Sequence, residues 1–170
     1  MRTRPTSDRL RETLFNVLTA GNPQALAGSV WLDLFAGTGA VGIEAFSRGA
    51  SHVTFVDSGK TSARVIRDNL KSLGIRAGFE IVEIEVQRAL RQLEAKQLMA
   101  NYIFIDPPYA AHDEYAQVLS LLSASPILAS GSVVIAEHDK RFDPGETFGS
   151  SRRYRLLPQG DSALSFYRKS

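Results

Sequence analysis

Cysteine is absent from the 170 residues, so the chain can form no disulfide, no thiolate metal site and no cysteine nucleophile of the kind that adds to C6 of a pyrimidine. Histidine is nearly as scarce. His52, His112 and His138 stand apart without metal-ligand spacing, which leaves them surface or packing roles and no metal site to expect. No apolar run approaches the roughly 20 residues that carry a helix across a bilayer. The opening residues also lack the apolar centre of a signal peptide, so the expected location is the cytoplasm with no membrane partner. Charge of one sign is not in excess, the net value being +2, yet its distribution is uneven. Arg2, Arg4, Arg9 and Arg11 crowd the start, while Arg152, Arg153, Arg155, Arg168 and Lys169 crowd the end, a pattern that suits a polyanion. With 44% hydrophobic and 22% charged residues, the length fits one domain over 1–170, with 1–22 as a basic segment and helix packed on it.

What is present alternates between two periods. Thr6 or Ser7 can cap a first helix in which Leu10, Leu14, Val17 and Leu18 share one face and Arg9, Glu12, Thr13 and Asn16 the other, with Gly21-Asn22-Pro23 ending it. Strands are predicted over 30–35, 52–56, 80–86, 102–105 and 132–137, and helices over 40–48, 60–73, 87–96 and 114–122. Strand and helix in alternation imply a mostly parallel, doubly wound α/β sheet. The rhythm breaks near the end, where 152–157 and 162–168 flank Pro158-Gln159-Gly160-Asp161 and predict an antiparallel hairpin. A Rossmann-like sheet closed by such a hairpin resembles the class I S-adenosylmethionine-dependent methyltransferases.

Chemistry is expected at Asp106-Pro107-Pro108-Tyr109, which follows a short apolar run and therefore sits at the carboxyl end of a strand, where open α/β sheets bind ligands. Two prolines offer carbonyls without N–H groups, so carboxylate and carbonyls present acceptors only, a set matched to an amine with two hydrogens. Tyr109 is expected to stack on the base, and the acceptors to turn the amine lone pair toward the methyl donor. Upstream, Gly37, Gly39 and Gly42 spell G-x-G-x-x-G, with Asp57 eighteen residues after Gly39, which a dinucleotide fold would share. Asp33, four residues before Gly37, separates the two, because a carboxylate there repels pyrophosphate and welcomes an ammonium or sulfonium. The expected cofactor contacts are Asp33, Phe35, Ala36, Gly37, Thr38, Gly39 and Asp57, the last on ribose hydroxyls. Trp31 is read as core, and Glu44 either approaches the methionyl end or stays on a solvated helix face.

Taken together, residues 4–16, 32–50, 106–109 and 160–167 resemble the bacterial 16S rRNA guanine-N2 methyltransferases of the RsmD type over nearly the whole chain. That resemblance implies S-adenosyl-L-methionine as cofactor, 16S rRNA in the small subunit or an assembly intermediate as partner, a monomer, and RNA contacts by Arg4, Thr6 and Arg9. It also implies an adenine contact after the third strand, where Gln87 stands in place of the family's usual Asp or Asn. Only three residues precede Arg4, where family members carry a Gly- and Arg-rich hairpin, so part of the RNA-binding surface is expected to be missing or the chain to start late. Asp-Pro-Pro-Tyr also serves adenine-N6 and glutamine-amide methyltransferases. An N6-adenine enzyme acting on DNA or RNA is the alternative, and a non-enzymatic RNA-binding module is a more distant one.

Overall fold

The computed structural model describes residues 7–108 and 111–169; Arg4, Thr6 and Tyr109 lie outside the described residues. Ser7 caps helix α1 (Asp8–Leu18), its hydroxyl accepting the Leu10 N–H at 3.1 Å, and Asp8 places a negative charge in the first turn. Thr19 stops the helix by turning both its N–H and its hydroxyl onto the Phe15 carbonyl, ahead of the turn at Gly21. Four βα repeats and a fifth parallel strand then follow. They run β1 (Val30–Leu34), α2 (Ala40–Ser47), β2 (His52–Val56), α3 (Ser62–Ser72), β3 (Phe79–Val82), α4 (Val86–Ala95), β4 (Ala100–Ile105), α5 (His112–Ser123) and β5 (Leu128–Asp139). A short β6 (Thr147–Phe148) and the hairpin β7 (Ser151–Gln159) and β8 (Ser162–Lys169) complete the chain.

The eight strands form one sheet in the order β3-β2-β1-β4-β5-β8-β7-β6, parallel from β3 through β5 and antiparallel beyond. This is the predicted doubly wound sheet with its terminal hairpin. Strand order reverses between β1 and β4, which opens a crevice at their carboxyl ends. Because side chains alternate along a strand, Leu32 and Leu34 join the core under α4 and α5, while Trp31 joins the core under α1, α2 and α3. Trp31 is fully buried, stacked between Phe15 at 5.3 Å and Tyr102 at 5.0 Å between ring centroids, so α1 is keyed to the sheet by aromatic packing.

Two strands differ most from the sequence pattern. Strand β3 ends at Val82 although the alternation continues to Val86, because its one neighbour, β2, ends at Val56 opposite Val82 and offers nothing further to pair with. Val86 is buried instead as the first residue of α4. Strand β5 extends on both sides of its predicted span, since Leu128 pairs with Ala100 of β4 and β8 pairs with it out to Asp139.

Gly42 shows how closely α2 lies on the sheet: a Cβ there would sit 2.4 Å from Cε1 of Phe55 and 2.8 Å from Cγ1 of Val53, both on β2. Phe55 and Val53 are fully buried and cannot swing aside. Gly42→Ala should therefore lower the unfolding free energy by about 1–3 kcal/mol, read from urea denaturation, against the few tenths gained when a glycine to alanine change in a helix meets open space.

Candidate active site and cofactor cleft

The parallel register brings the expected site residues to one edge. Leu34 pairs with Val56 on one side and Ile105 on the other, so Phe35, Asp57 and Asp106 all leave the sheet at the same level. Phe35 does so with φ of 59°, a left-handed conformation costing roughly 1–2 kcal/mol for a residue with a side chain. It turns the chain out of β1 into the glycine loop and puts its ring against the cleft.

Two carboxylates brace that loop. Asp33, one residue inside the edge and 2% exposed, accepts the Gly42 N–H at 3.0 Å and so fastens the first turn of α2 to β1. Burial raises its pKa to about 8; the Gly42 N–H opposes that shift and the nearby Asp57 charge adds to it. Asp57 accepts from Gly37 N–H at 2.8 Å and from Gly59 N–H at 2.7 Å, one bond to each oxygen, joining the β1–α2 loop to the β2–α3 loop. The glycines divide the work between them. Gly37 has φ of 59° and open space where a Cβ would lie, so it leaves backbone uncovered, whereas Gly39, with φ of 81°, faces inward, where a Cβ would meet Ile66 and Phe55 at 3.2 and 3.3 Å. Ala36 donates to the Val56 carbonyl, and Thr38 is exposed with its carbonyl taken by Asn69.

A cleft of about 240 Å³ opens beside this frame, lined by Phe35, Asp57, Ser58, Gly59, Glu85, Val86, Gln87, Pro108 and Glu114. Three expected cofactor residues, Phe35, Asp57 and Gln87, thus meet in one cavity with Pro108 of the acidic proline loop. Ala36, Gly37, Thr38 and Gly39 adjoin it through the loop, and Asp33 lies beneath. Sequence reasoning missed Glu85 and Glu114. Glu85 was hidden inside an overlong strand, and Glu114 reaches the cleft only because α5 folds back over α4. Gln87 records that approach, its amide donating to Glu114 Oε2 at 3.3 Å and to Gln117 Oε1 at 3.0 Å. Among the described residues the lining holds three carboxylates and no lysine or arginine. Such a wall suits hydroxyl and amine donors or a cation and disfavours a pyrophosphate.

At the other side of the crevice Asp106 is 7% exposed and Pro107 is buried, while the Pro108 carbonyl accepts the Ala111 N–H at 2.9 Å and closes a turn into α5. Arg9 is exposed in the first turn of α1. That turn lies toward the same edge, because Arg11 meets Glu44 at 3.9 Å and the Arg48 guanidinium sits 5.5 Å from the Phe15 ring centroid, so α1 runs alongside α2 in the same direction. Glu44 is held by Arg48 at 3.0 Å on the helix face. His138 is buried against Ser165, and burial lowers its pKa, which keeps it a neutral packing group. Among the described residues no group of three His, Asp or Glu side chains is arranged to hold a metal ion.

Fold and crevice together are those of a class I methyltransferase. The chain belongs to the family described as conserved hypothetical protein 95, which matches residues 1–168. It is 38% identical over 140 residues to the Haemophilus influenzae ribosomal RNA small subunit methyltransferase D, a stretch covering 81% of this chain and 68% of the relative. The Escherichia coli K12 protein of the same name is 32% identical over 136 residues, covering 80% of this chain and 64% of that protein. Among solved structures, a Streptococcus pyogenes conserved hypothetical protein superposes with a TM-score of 0.82 at 28% identity, covering 94% and 95% of the two chains. An RNA methyltransferase from Salinibacter ruber in complex with S-adenosyl-L-homocysteine shares the fold with a TM-score of 0.72 at 15% identity, over 98% and 94% of the chains.

The raised pKa of Asp33 has a measurable sign. The native carboxyl keeps a proton up to about pH 8 that the unfolded chain releases near its ordinary 3.8, so this group makes the protein less stable as pH rises through that window. Urea denaturation from pH 5 to pH 8 should show the wild type losing up to about 1.4 kcal/mol per pH unit relative to Asp33→Asn, whose amide oxygen can still accept from Gly42. Parallel pH profiles for the two proteins would mean that Asp33 is ionised in the native state.

Proposed function

We propose that the protein transfers a methyl group from S-adenosyl-L-methionine to the exocyclic N2 amine of a guanine in 16S rRNA, within the small ribosomal subunit or an assembly intermediate. The observation that carries this reading is the shared cavity: Asp57 and Gln87 line the same cleft as Pro108, so a cofactor held by the first two lies beside the loop that would hold the amine. The names of the relatives support ribosomal RNA of the small subunit as substrate, and the likeness of residues 4–16, 32–50 and 160–167 to guanine-N2 enzymes supports the choice of amine.

The cleft fits the cofactor. Asp57 keeps lone pairs beyond those given to Gly37 and Gly59 and would take the ribose hydroxyls; Glu85 and Gln87 would meet the adenine end, Phe35 would cover it, and bare backbone at Gly37 admits it closely. Asp33 would face the methionyl ammonium, a cation that favours its ionised form. Bound there, S-adenosyl-L-methionine supplies a methyl group on a sulfonium, with a neutral thioether to depart.

The rest is done by the acceptor loop. The guanine amine is a poor nucleophile because its lone pair is spread into the ring. The Asp106 carboxylate and the Pro107 carbonyl would each accept one amine hydrogen and favour a more tetrahedral nitrogen. Tyr109 would stack on the base turned out of its helix and fix its angle. Once methylated, the nitrogen is acidic and gives its proton to Asp106 or to water, so no strong base is required. Arg4, Thr6 and Arg9 would hold the phosphates of the incoming strand.

Radiolabelled methyl transfer to small subunits from cells lacking this gene, followed by nucleoside analysis, should yield N2-methylguanosine; N6-methyladenosine or labelled protein would overturn the assignment. In the same assay Asp106→Asn should lower the single-turnover rate by roughly 10²–10⁴-fold, since its amide can direct hydrogens at the amine and its charge no longer stabilises the developing cation. Calorimetric binding of S-adenosylhomocysteine should stay within a few-fold of wild type, on the order of 1 kcal/mol or less.

A further inference from the structure

We propose that the α1-side face of the β7–β8 hairpin is a second RNA-docking surface, remote from the acceptor loop and built on Arg152, Arg155 and Arg168 around Tyr154. The proposal rests on the reading of RNA as substrate. Strand pairing fixes the geometry: Arg152 lies opposite Arg168, Arg168 opposite Val133, and Arg155 opposite Phe166. Val133 and Phe166 belong to the core beneath α1, so the three arginines emerge on that face. Beyond α1 the face lies open. The helix touches the hairpin at its far end, where the Thr13 hydroxyl meets Gln159 at 2.6 Å, while Arg152, Arg155 and Arg168 are exposed and Tyr154 is 45% exposed.

Charge selects the occupant. Among the described residues these three arginines have no carboxylate partner, whereas Arg153, on the opposite face, is spent on Asp143 at 2.7 Å. Tyr154 sits at the irregularity between Arg153 and Arg155, which adds a residue to the strand, and the Arg168 guanidinium lies 4.3 Å from its ring centroid. Unpaired guanidiniums around an exposed aromatic ring match phosphates with a base stacked between them. The surface also leads back to the site, because β7 runs from Arg152 to Gln159 beside Thr13, and α1 carries Arg9 in its first turn at the catalytic edge. RNA held along this line would span the outer end of the sheet and reach the acceptor loop in a fixed orientation.

The rival explanation is edge protection. Among the described residues most of the outer side of β7 has no partner strand, β6 pairing only at Ser151 and Arg152, and arginines with Pro158 would discourage another copy from adding there. The two explanations separate in a triple variant, Arg152→Gln, Arg155→Gln and Arg168→Gln, beside its all-lysine counterpart. Binding of small ribosomal subunits from cells lacking this gene is measured from 50 to 300 mM salt, with S-adenosylhomocysteine affinity and melting temperature alongside. The glutamine variant should weaken RNA binding by roughly 10–100-fold near 100 mM salt and reduce the salt slope by about 2, at ~0.7–0.9 per lost phosphate contact. It should raise KM for RNA and leave kcat at saturating RNA, S-adenosylhomocysteine binding and melting temperature unchanged, and the lysine variant should recover most of the affinity. Unchanged RNA binding, with or without aggregation, overturns the surface while leaving the methyltransferase reading in place. A wild-type protein that binds S-adenosylhomocysteine but no RNA overturns both.

Discussion

A buried carboxylate holding a backbone N–H at the start of α2 is the constraint from which the rest of the site descends. Asp33 belongs to β1, which pairs with both β2 and β4, and through Gly42 it fixes the helix to that strand. With the helix start fixed, Gly37 can reach Asp57, and Asp57 in turn reaches Gly59, so a chain of charge-assisted hydrogen bonds spans two loops contributed by neighbouring strands. Gly42 admits no side chain because the helix lies on Phe55, and Phe35 accepts an unfavourable φ because the loop leaves it no other exit. The cleft is therefore a rigid feature of the sheet edge.

The two sides of the crevice are electrically unlike. Asp57, Glu85 and Glu114 crowd the cleft beside β2 and α4, while α1 and the terminal hairpin carry arginines toward solvent. A net charge of +2 conceals this separation, since the signs cancel in the sum and not in space. The proposed sulfonium cofactor and polyanionic substrate need opposite surroundings, and the acidic cleft and the arginine-bearing α1 and hairpin lie apart in the fold.

Much of this was legible in the sequence, and what was not has physical reasons. Strand β2 could be read to the residue because an apolar run ends on a carboxylate, and the same logic located Asp57 and Asp106 at the sheet edge. Phe35 and Asp57 were identified from their places at strand ends and Gln87 from the family resemblance, and the three share a cavity. Val86 misled because an alternating stretch continues past the point where a partner strand stops, and pairing is a property of two strands. Glu85 was lost with it. Glu114 needed the packing of α5 on α4, and β6 is a two-residue bridge with no period of its own. Gly39 also has a packing reason to match the glycine motif, since its missing Cβ makes room for Ile66 and Phe55. Asp33 was read as facing a ligand from its position; its full burial, and hence its raised pKa, depended on the closeness of α2.

The placement of β8 governs how this molecule can be made. Phe166 and Tyr167 are among its largest wholly enclosed side chains, and β8 lies against β5 and β7 within the sheet, so residues near position 30 and near position 166 share one core. During synthesis the βα repeats can collapse as they emerge, yet β5 keeps a naked edge until the last strand clears the ribosome. Contacts of such long sequence separation close slowly because the loop entropy must be met first. The nascent protein thus passes through an interval in which its sheet is built but unsealed, and the arginines of the final hairpin arrive together with the strand that closes it.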